Sequence, residues 1–173
     1  SKGLYDFILI NRFANKGKLK VLADGSSNGI DTDFFSPQQI TLEQQNQLKG
    51  KLNISESDFV FVFVGRLVKN KGINELVSAF SKLEGNNVKL LLVGTFEEEL
   101  DPLLPETLNE IDSNENIIEV GWQSDVRPYF AISDALVFPS YREGFPNVVM
   151  QAGAMGIPSI VTDINGCNEI IID

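Results

Sequence analysis

The chain has 173 residues, 43% of them hydrophobic, enough for one core of ordinary size and therefore one main domain. A formal charge of −10 and a pI near 4.5 repel a nucleic-acid backbone or an anionic membrane as the main partner. A single Cys, Cys167, excludes an internal disulfide, and with no His it leaves no obvious zinc or Ser/His/Asp machinery, while a lone thiol fits a reducing, cytoplasmic setting.

The opening stretch from Ser1 to Arg12 is amphipathic but is interrupted by Asp6 and Asn11 too early for a signal peptide. No apolar run reaches the ~18 to 20 residues that a membrane span requires. The chain begins without Met and stops at Ile170-Ile171-Ile172-Asp173, where another element should be starting, so a piece of a longer protein is expected. Residues 17–58 are mixed in character: a short strand over 20–23, a Gly25-Ser26-Ser27-Asn28-Gly29 loop, and a polar helix over 41–52.

Phe59 to Val64 is a continuous β-branched and aromatic run ending in Gly65, the pattern of a strand buried on both faces. Ile73, Leu76, Val77, Phe80 and Leu83 then recur at helical spacing, and Val88 to Val93 forms a second apolar run closed by Gly94. The acidic run Glu97-Glu98-Glu99 reads as a solvated helix start, favourable to the helix dipole. Beyond it the pattern predicts a helix over 102–114, a strand over 117–120, a helix over 126–133 with Tyr129 and Phe130 on its core face, and a strand over 135–138. Trp122, just after the short strand, reads as a packing residue, with a nucleobase as its less favoured neighbour.

Residues 140–166 form the most informative stretch. Pro146 sits where a helix should start, because its fixed φ suits the first turn and its missing N–H costs nothing there. Val148, Val149, Ala152 and Met155 share one face, Gly156 supplies the stop, Pro158 prevents continuation, and a strand follows over 159–162. Glu143 stands at the mouth of this helix, and Gln151 follows eight positions later. Strands alternating so regularly with helices predict an α/β fold: a Rossmann-like parallel sheet with helices on both faces, binding its ligand at the carboxyl ends of the strands.

Two loops at that edge carry charge. Arg66, Lys69 and Lys71 lie within six residues, between the first strand and the helix that begins near Gly72. Cations there oppose the helix macrodipole, whereas a bound diphosphate is stabilised by both the side chains and the free N–H groups; the alternative is a merely solvated loop. Neither a Gly-x-x-x-x-Gly-Lys-Ser/Thr phosphate loop nor a Gly-x-Gly-x-x-Gly fingerprint is present. In the second loop, a carboxylate at Glu143 beside an anion is favourable only if it faces hydroxyl groups, as in sugar recognition; otherwise it simply favours the helix start.

Gly65-Arg66 with Lys71-Gly72, then Gly94, Gly121-Trp122, Asp125, Asp134, Pro139-Ser140 and Glu143-Gly144-Phe145-Pro146, together resemble the family 4 (group 1) retaining glycosyltransferases of the GT-B fold, over about residue 22 to the end. Bacterial enzymes that build capsule, O-antigen and other envelope polysaccharides are the most similar in pattern. The resemblance implies that residues 1–24 end an N-terminal acceptor domain or linker and that 25–173 are a C-terminally truncated donor-binding domain, inactive alone. It implies Arg66, Lys71 and Glu143 as catalytic residues: the two cations on the donor diphosphate in place of a metal ion, and the carboxylate on sugar hydroxyls.

Gly65, Gly94, Gly144, Phe145, Pro146, Asn147 and Gln151 are implied as further donor-binding positions. Gln151 departs from the family pattern, which places a ribose-binding glutamate there. The implied partner is a nucleotide sugar, with a glycan or lipid-linked acceptor held by the missing domain, peripheral membrane association of the full-length enzyme, and no metal or other cofactor. A non-catalytic nucleotide-sugar binding module and a nucleotide-sugar epimerase are the alternatives.

Overall fold

The computed structural model describes residues 1–23, 25, 29–83, 85, 87–97 and 99–171. The opening stretch forms a helix, α1 (Lys2–Ile10), capped by the Ser1 hydroxyl, which accepts the Leu4 N–H at 3.2 Å. The Glu169 carboxylate accepts the next two free donors of that turn, from Lys2 at 2.7 Å and Gly3 at 3.2 Å. No residue of α1 is buried; Phe7 and Ile10 lie open on it, as does Phe13 just beyond its end.

The strand expected over 20–23 does not form. A strand exists through its ladder, and none of the five strands of the sheet pairs with this segment. Ser26, Ser27 and Asn28 of the glycine-rich loop lie outside the described residues. The polar helix expected over 41–52 is α2 (Leu42–Lys51), started by a capping box in which Thr41 and Gln44 bond each other's backbone N–H.

The sheet is built from β1 (Phe59–Val64), β2 (Val88–Val93), β3 (Ile117–Gly121), β4 (Ala135–Phe138) and β5 (Ser159–Val161), in the order β3-β2-β1-β4-β5, with every pairing parallel. Val60, Val62, Phe63 and Leu90 to Val93 are at most 1% exposed, which is why β1 and, past Lys89, the rest of β2 read as apolar runs. The start of β1 is fixed by Asp134, whose carboxylate accepts the Val60 N–H at 2.7 Å just before β4 begins.

Five helices join these strands or precede them: α2 before β1, α3 (Ile73–Phe80) to β2, α4 (Pro105–Ser113) to β3, α5 (Arg127–Ala131) to β4 and α6 (Asn147–Ala154) to β5. Right-handed crossovers place α3 and α4 on one face and α5 and α6 on the other. Several boundaries differ from expectation, α5 among them, which is shorter at both ends than the expected 126–133. α3 stops at Phe80, leaving Leu83 51% exposed beyond its end. No helix begins at Glu97 or Glu99: after the bridge between Leu67 and Phe96 the chain makes only a turn, in which the Asp101 N–H bonds the Glu97 carbonyl at 3.4 Å, and α4 waits for Pro105 at its first turn; Glu98 lies outside the described residues.

α6 starts one residue after Pro146, which is its cap, and buries Val149 and Ala152. It closes as expected at Gly156: the Gly156 N–H bonds the Gly153 carbonyl at 3.0 Å and the Ile157 N–H bonds that of Ala152 at 3.1 Å, the paired bonds of a Schellman motif. Tyr129 and Phe130 are core residues, as their spacing predicts. Trp122 is not: it is 70% exposed, because it follows the edge strand β3 and has no outer neighbour to pack on.

Candidate functional site

Chain order and sheet order part company between β1 and β4. The chain moves outward from β1 through β2 to β3, then crosses back to place β4 on the other side of β1. Loops leaving two such neighbours diverge to opposite faces, so a crevice opens between them at the carboxyl edge. The basic loop follows β1 and the Glu143 loop follows β4; the two charged loops of the sequence therefore flank that crevice.

The basic loop is short and tightly held. Gly65 ends β1 with its N–H bonded to the Val93 carbonyl at 2.9 Å, and Gly94 ends β2 so close by that a Cβ on it would lie 1.8 Å from the Gly65 carbonyl oxygen. A 3₁₀ turn, Lys69–Lys71, then leads to Gly72 at φ 72°. Asp101 caps this turn, accepting the Asn70 N–H on its carboxylate at 2.7 Å and the Lys69 N–H on its carbonyl at 3.3 Å. Gly72 itself rests on the loop after β4: an added Cβ would lie 2.2 Å from the Pro139 carbonyl oxygen. Only glycine combines that close approach with a left-handed backbone.

Lys71 is thereby aimed across the crevice. Its ammonium forms an ion pair and hydrogen bond with the Glu143 carboxylate, the two side chains being only 18% and 12% exposed. The Lys71 nitrogen also lies 5.3 Å from the centre of the Phe138 ring, which stacks on Phe63 at 5.8 Å. Cys167 is buried beside the pair, and its thiol is pushed up to about 11, first by burial and then by the Glu143 carboxylate, with Lys71 opposing.

Arg66 is placed differently. It is 59% exposed and pairs at 2.8 Å with Glu97, on the loop after β2, so it and Lys71 do not share a partner. Gly144, Phe145, Pro146 and Asn147 follow Glu143 into α6, with Pro146 buried and Asn147 exposed at the helix start. Gln151 lies one turn further along α6, half-buried, on the side of the helix that carries Asn147. Asp125 is engaged elsewhere, in a bidentate pair with Arg127 that holds its carboxyl below the usual range.

Three contributors escape sequence reasoning. Glu97, Asp101 and Thr162, whose hydroxyl donates to the Ser140 carbonyl after β4, carry no local pattern that names their partners; the one signal available is the acidic run at 97–99, which the dipole argument assigns to a helix start. Among the described residues, no group of three or more His, Cys, Asp or Glu side chains could hold a metal ion. None of the described helices is long and apolar enough to cross a membrane.

Residues 44–173 match the model of the glycosyl transferases group 1 family. The capsular polysaccharide biosynthesis glycosyltransferase CapM of Staphylococcus aureus is 33% identical over 100% of this chain and 44% of its own length. An Escherichia coli enzyme, UDP-Gal:alpha-D-GlcNAc-diphosphoundecaprenol alpha-1,3-galactosyltransferase, is 30% identical over 83% of this chain and 37% of its own length. The chain thus spans less than half of either relative. Among solved structures, a glycosyltransferase from Rickettsia africae superposes with a TM-score of 0.81 at 24% identity over 98% of this chain and 44% of that one. Anabaena HepE in complex with UDP superposes with a TM-score of 0.79 at 20% identity, over 95% and 44% respectively. The chain belongs to the group 1 glycosyltransferases.

Proposed function

We propose that this chain is the donor-binding part of a retaining glycosyltransferase. The enzyme moves a sugar from a nucleoside diphosphate sugar to an acceptor hydroxyl in bacterial envelope polysaccharide synthesis. The observation that carries this reading is the Lys71–Glu143 pair at the crevice between β1 and β4. A cation and a carboxylate presented together are complementary to a ligand that offers an anion beside hydroxyls, and a nucleotide sugar offers both. Relatives support the class: CapM is a capsular polysaccharide biosynthesis glycosyltransferase by name, the Escherichia coli relative is by name a galactosyltransferase that uses UDP-Gal, and HepE has been solved with UDP-glucose.

In this reading the bond between the anomeric carbon and the diphosphate breaks, the electron pair leaves with the nucleoside diphosphate, and the acceptor hydroxyl gives up its proton to the departing phosphate oxygen as the new glycosidic bond forms. Negative charge grows on the phosphate oxygens, where Lys71, and Arg66 once it leaves Glu97, stabilise it more than in the ground state. Glu143, freed from Lys71, accepts hydrogen bonds from sugar hydroxyls. The starts of α3 and α6 at the same edge add backbone N–H groups to the phosphate side. No step calls on a metal or other cofactor.

The acceptor, a glycan or lipid-linked sugar, belongs to a further domain, with the enzyme cytoplasmic and peripheral at the membrane. The open apolar side of α1 fits a helix that belongs with that domain.

The test is to incubate the full-length protein with UDP-, GDP- and ADP-sugars and measure nucleoside diphosphate release with and without candidate acceptors. Acceptor-dependent release, with the anomeric configuration kept in the product, is expected. Binding without release would indicate a binding module, and interconverted sugar without release would indicate an epimerase.

A further inference from the structure

Ser140 is wholly buried where the two charged loops meet. Its hydroxyl lies 3.4 Å from two backbone carbonyls, those of Asn70 and Arg142, and donates between them. Asn70 immediately precedes Lys71, and Arg142 immediately precedes Glu143. The Asn70 carbonyl also accepts the Tyr141 N–H at 3.0 Å, so the two loops are bonded twice at this point. From the other side, the Thr162 hydroxyl at the end of β5 donates to the Ser140 carbonyl at 2.5 Å. One short chain of bonds therefore runs from β5 through Ser140 to the residue beside each member of the ion pair.

A hydroxyl that only needed satisfying would be served by one carbonyl of its own loop. This one spans two loops, and Thr162, from a third segment of the edge, holds the backbone carbonyl of the same residue. We infer that Ser140 and Thr162 are positioning residues of the site: the Thr162–Ser140–Asn70 chain sets the reach of Lys71 toward Glu143 and hence toward the diphosphate that replaces it. Neither residue touches the ligand in this account. Shifts of about 1 Å in a charged group are enough to lose much of its effect, which is why a remote hydroxyl matters.

The inference rests on Lys71 as a diphosphate-binding residue, and the experiment separates the two. Affinity of the full-length protein for the tightest-bound of UDP, GDP and ADP is measured by calorimetry for Thr162→Val, Thr162→Ser and Ser140→Ala, each alone and combined with Lys71→Ala, with melting curves alongside. Thr162→Val should weaken binding about 5- to 10-fold, the scale of one hydrogen bond. Thr162→Ser, which keeps the hydroxyl, should recover to within about 2-fold, and the Thr162→Val loss should vanish in the Lys71→Ala background, as coupled residues require.

A merely structural hydroxyl would lower the melting temperature without that coupling. If Thr162→Val does not fold, Ser140→Ala carries the same comparison. Wild-type affinity in folded Thr162→Val and Ser140→Ala, or an equal loss with and without Lys71, overturns the inference while leaving the site standing. Wild-type affinity in Lys71→Ala overturns both.

Discussion

Lys71 and Glu143 lie 72 positions apart in sequence and are joined as a largely buried ion pair across the crevice between β1 and β4. Their setting contrasts with that of Arg66 and Glu97, whose side chains are 59% and 30% exposed. Breaking a shielded pair leaves an uncompensated charge, whereas an exposed pair is screened and worth at most about 1 kcal/mol. Glu143→Ala should therefore cost roughly 1 to 3 kcal/mol of stability and Glu97→Ala less than about 0.5 kcal/mol. Chemical denaturation of both variants checks this, and equal costs would contradict the burial argument.

Gly72→Ala should be among the more damaging single changes at the site. It places a side chain at φ 72° and a carbon 2.2 Å from the Pro139 carbonyl oxygen. Backbone strain alone costs on the order of 1 to 3 kcal/mol, or a fall of several degrees in melting temperature for a chain of this size. Because Gly72 adjoins Lys71, nucleoside diphosphate affinity should fall in the same variant. Thermal melts and calorimetry read the two effects separately.

Gln151→Glu should bind the donor as well as the present chain, or more tightly. Glutamine at this half-buried position of α6 can accept one hydrogen bond from a ribose hydroxyl, while a carboxylate accepts two with charge assistance, a difference of roughly 1 to 2 kcal/mol. A clear loss of affinity by calorimetry would show that Gln151 recognises something other than ribose.

Cys167 should make stability depend on alkaline pH. Its folded-state thiol is pushed up to about 11 by burial first and by Glu143 second, while an unfolded thiol ionises near pH 8.5. Above that pH the unfolded chain releases a proton that the folded chain keeps. The stabilisation is complete below the unfolded pKa and is lost progressively as pH rises through the folded one. Melting temperature from pH 8 to 11 should fall more steeply for the wild type than for Cys167→Ala; identical slopes would contradict the placement of the thiol.

The sheet is legible because the central residues of β1 and the run Leu90 to Val93 of β2 are buried on both faces and therefore apolar, and α6 because its start, face and stop all follow local rules. The strand expected over 20–23 failed for a non-local reason, since a ladder needs a neighbour that periodicity cannot reveal. Charges were legible as residues but not as pairs. Nothing near Arg66 names Glu97, and nothing near Ser140 names Asn70, 70 positions away. Trp122 reads as a packing residue because it follows a strand, and only the sheet order shows that β3 is an edge.

The proposed reaction turns on Lys71 stabilising the departing diphosphate. The rate of nucleoside diphosphate release by the full-length protein carrying Lys71→Ala, at saturating donor and acceptor, tests it most directly. Loss of one preorganised charged donor should slow release by at least about 100-fold, and turnover close to that of the wild type would contradict the account.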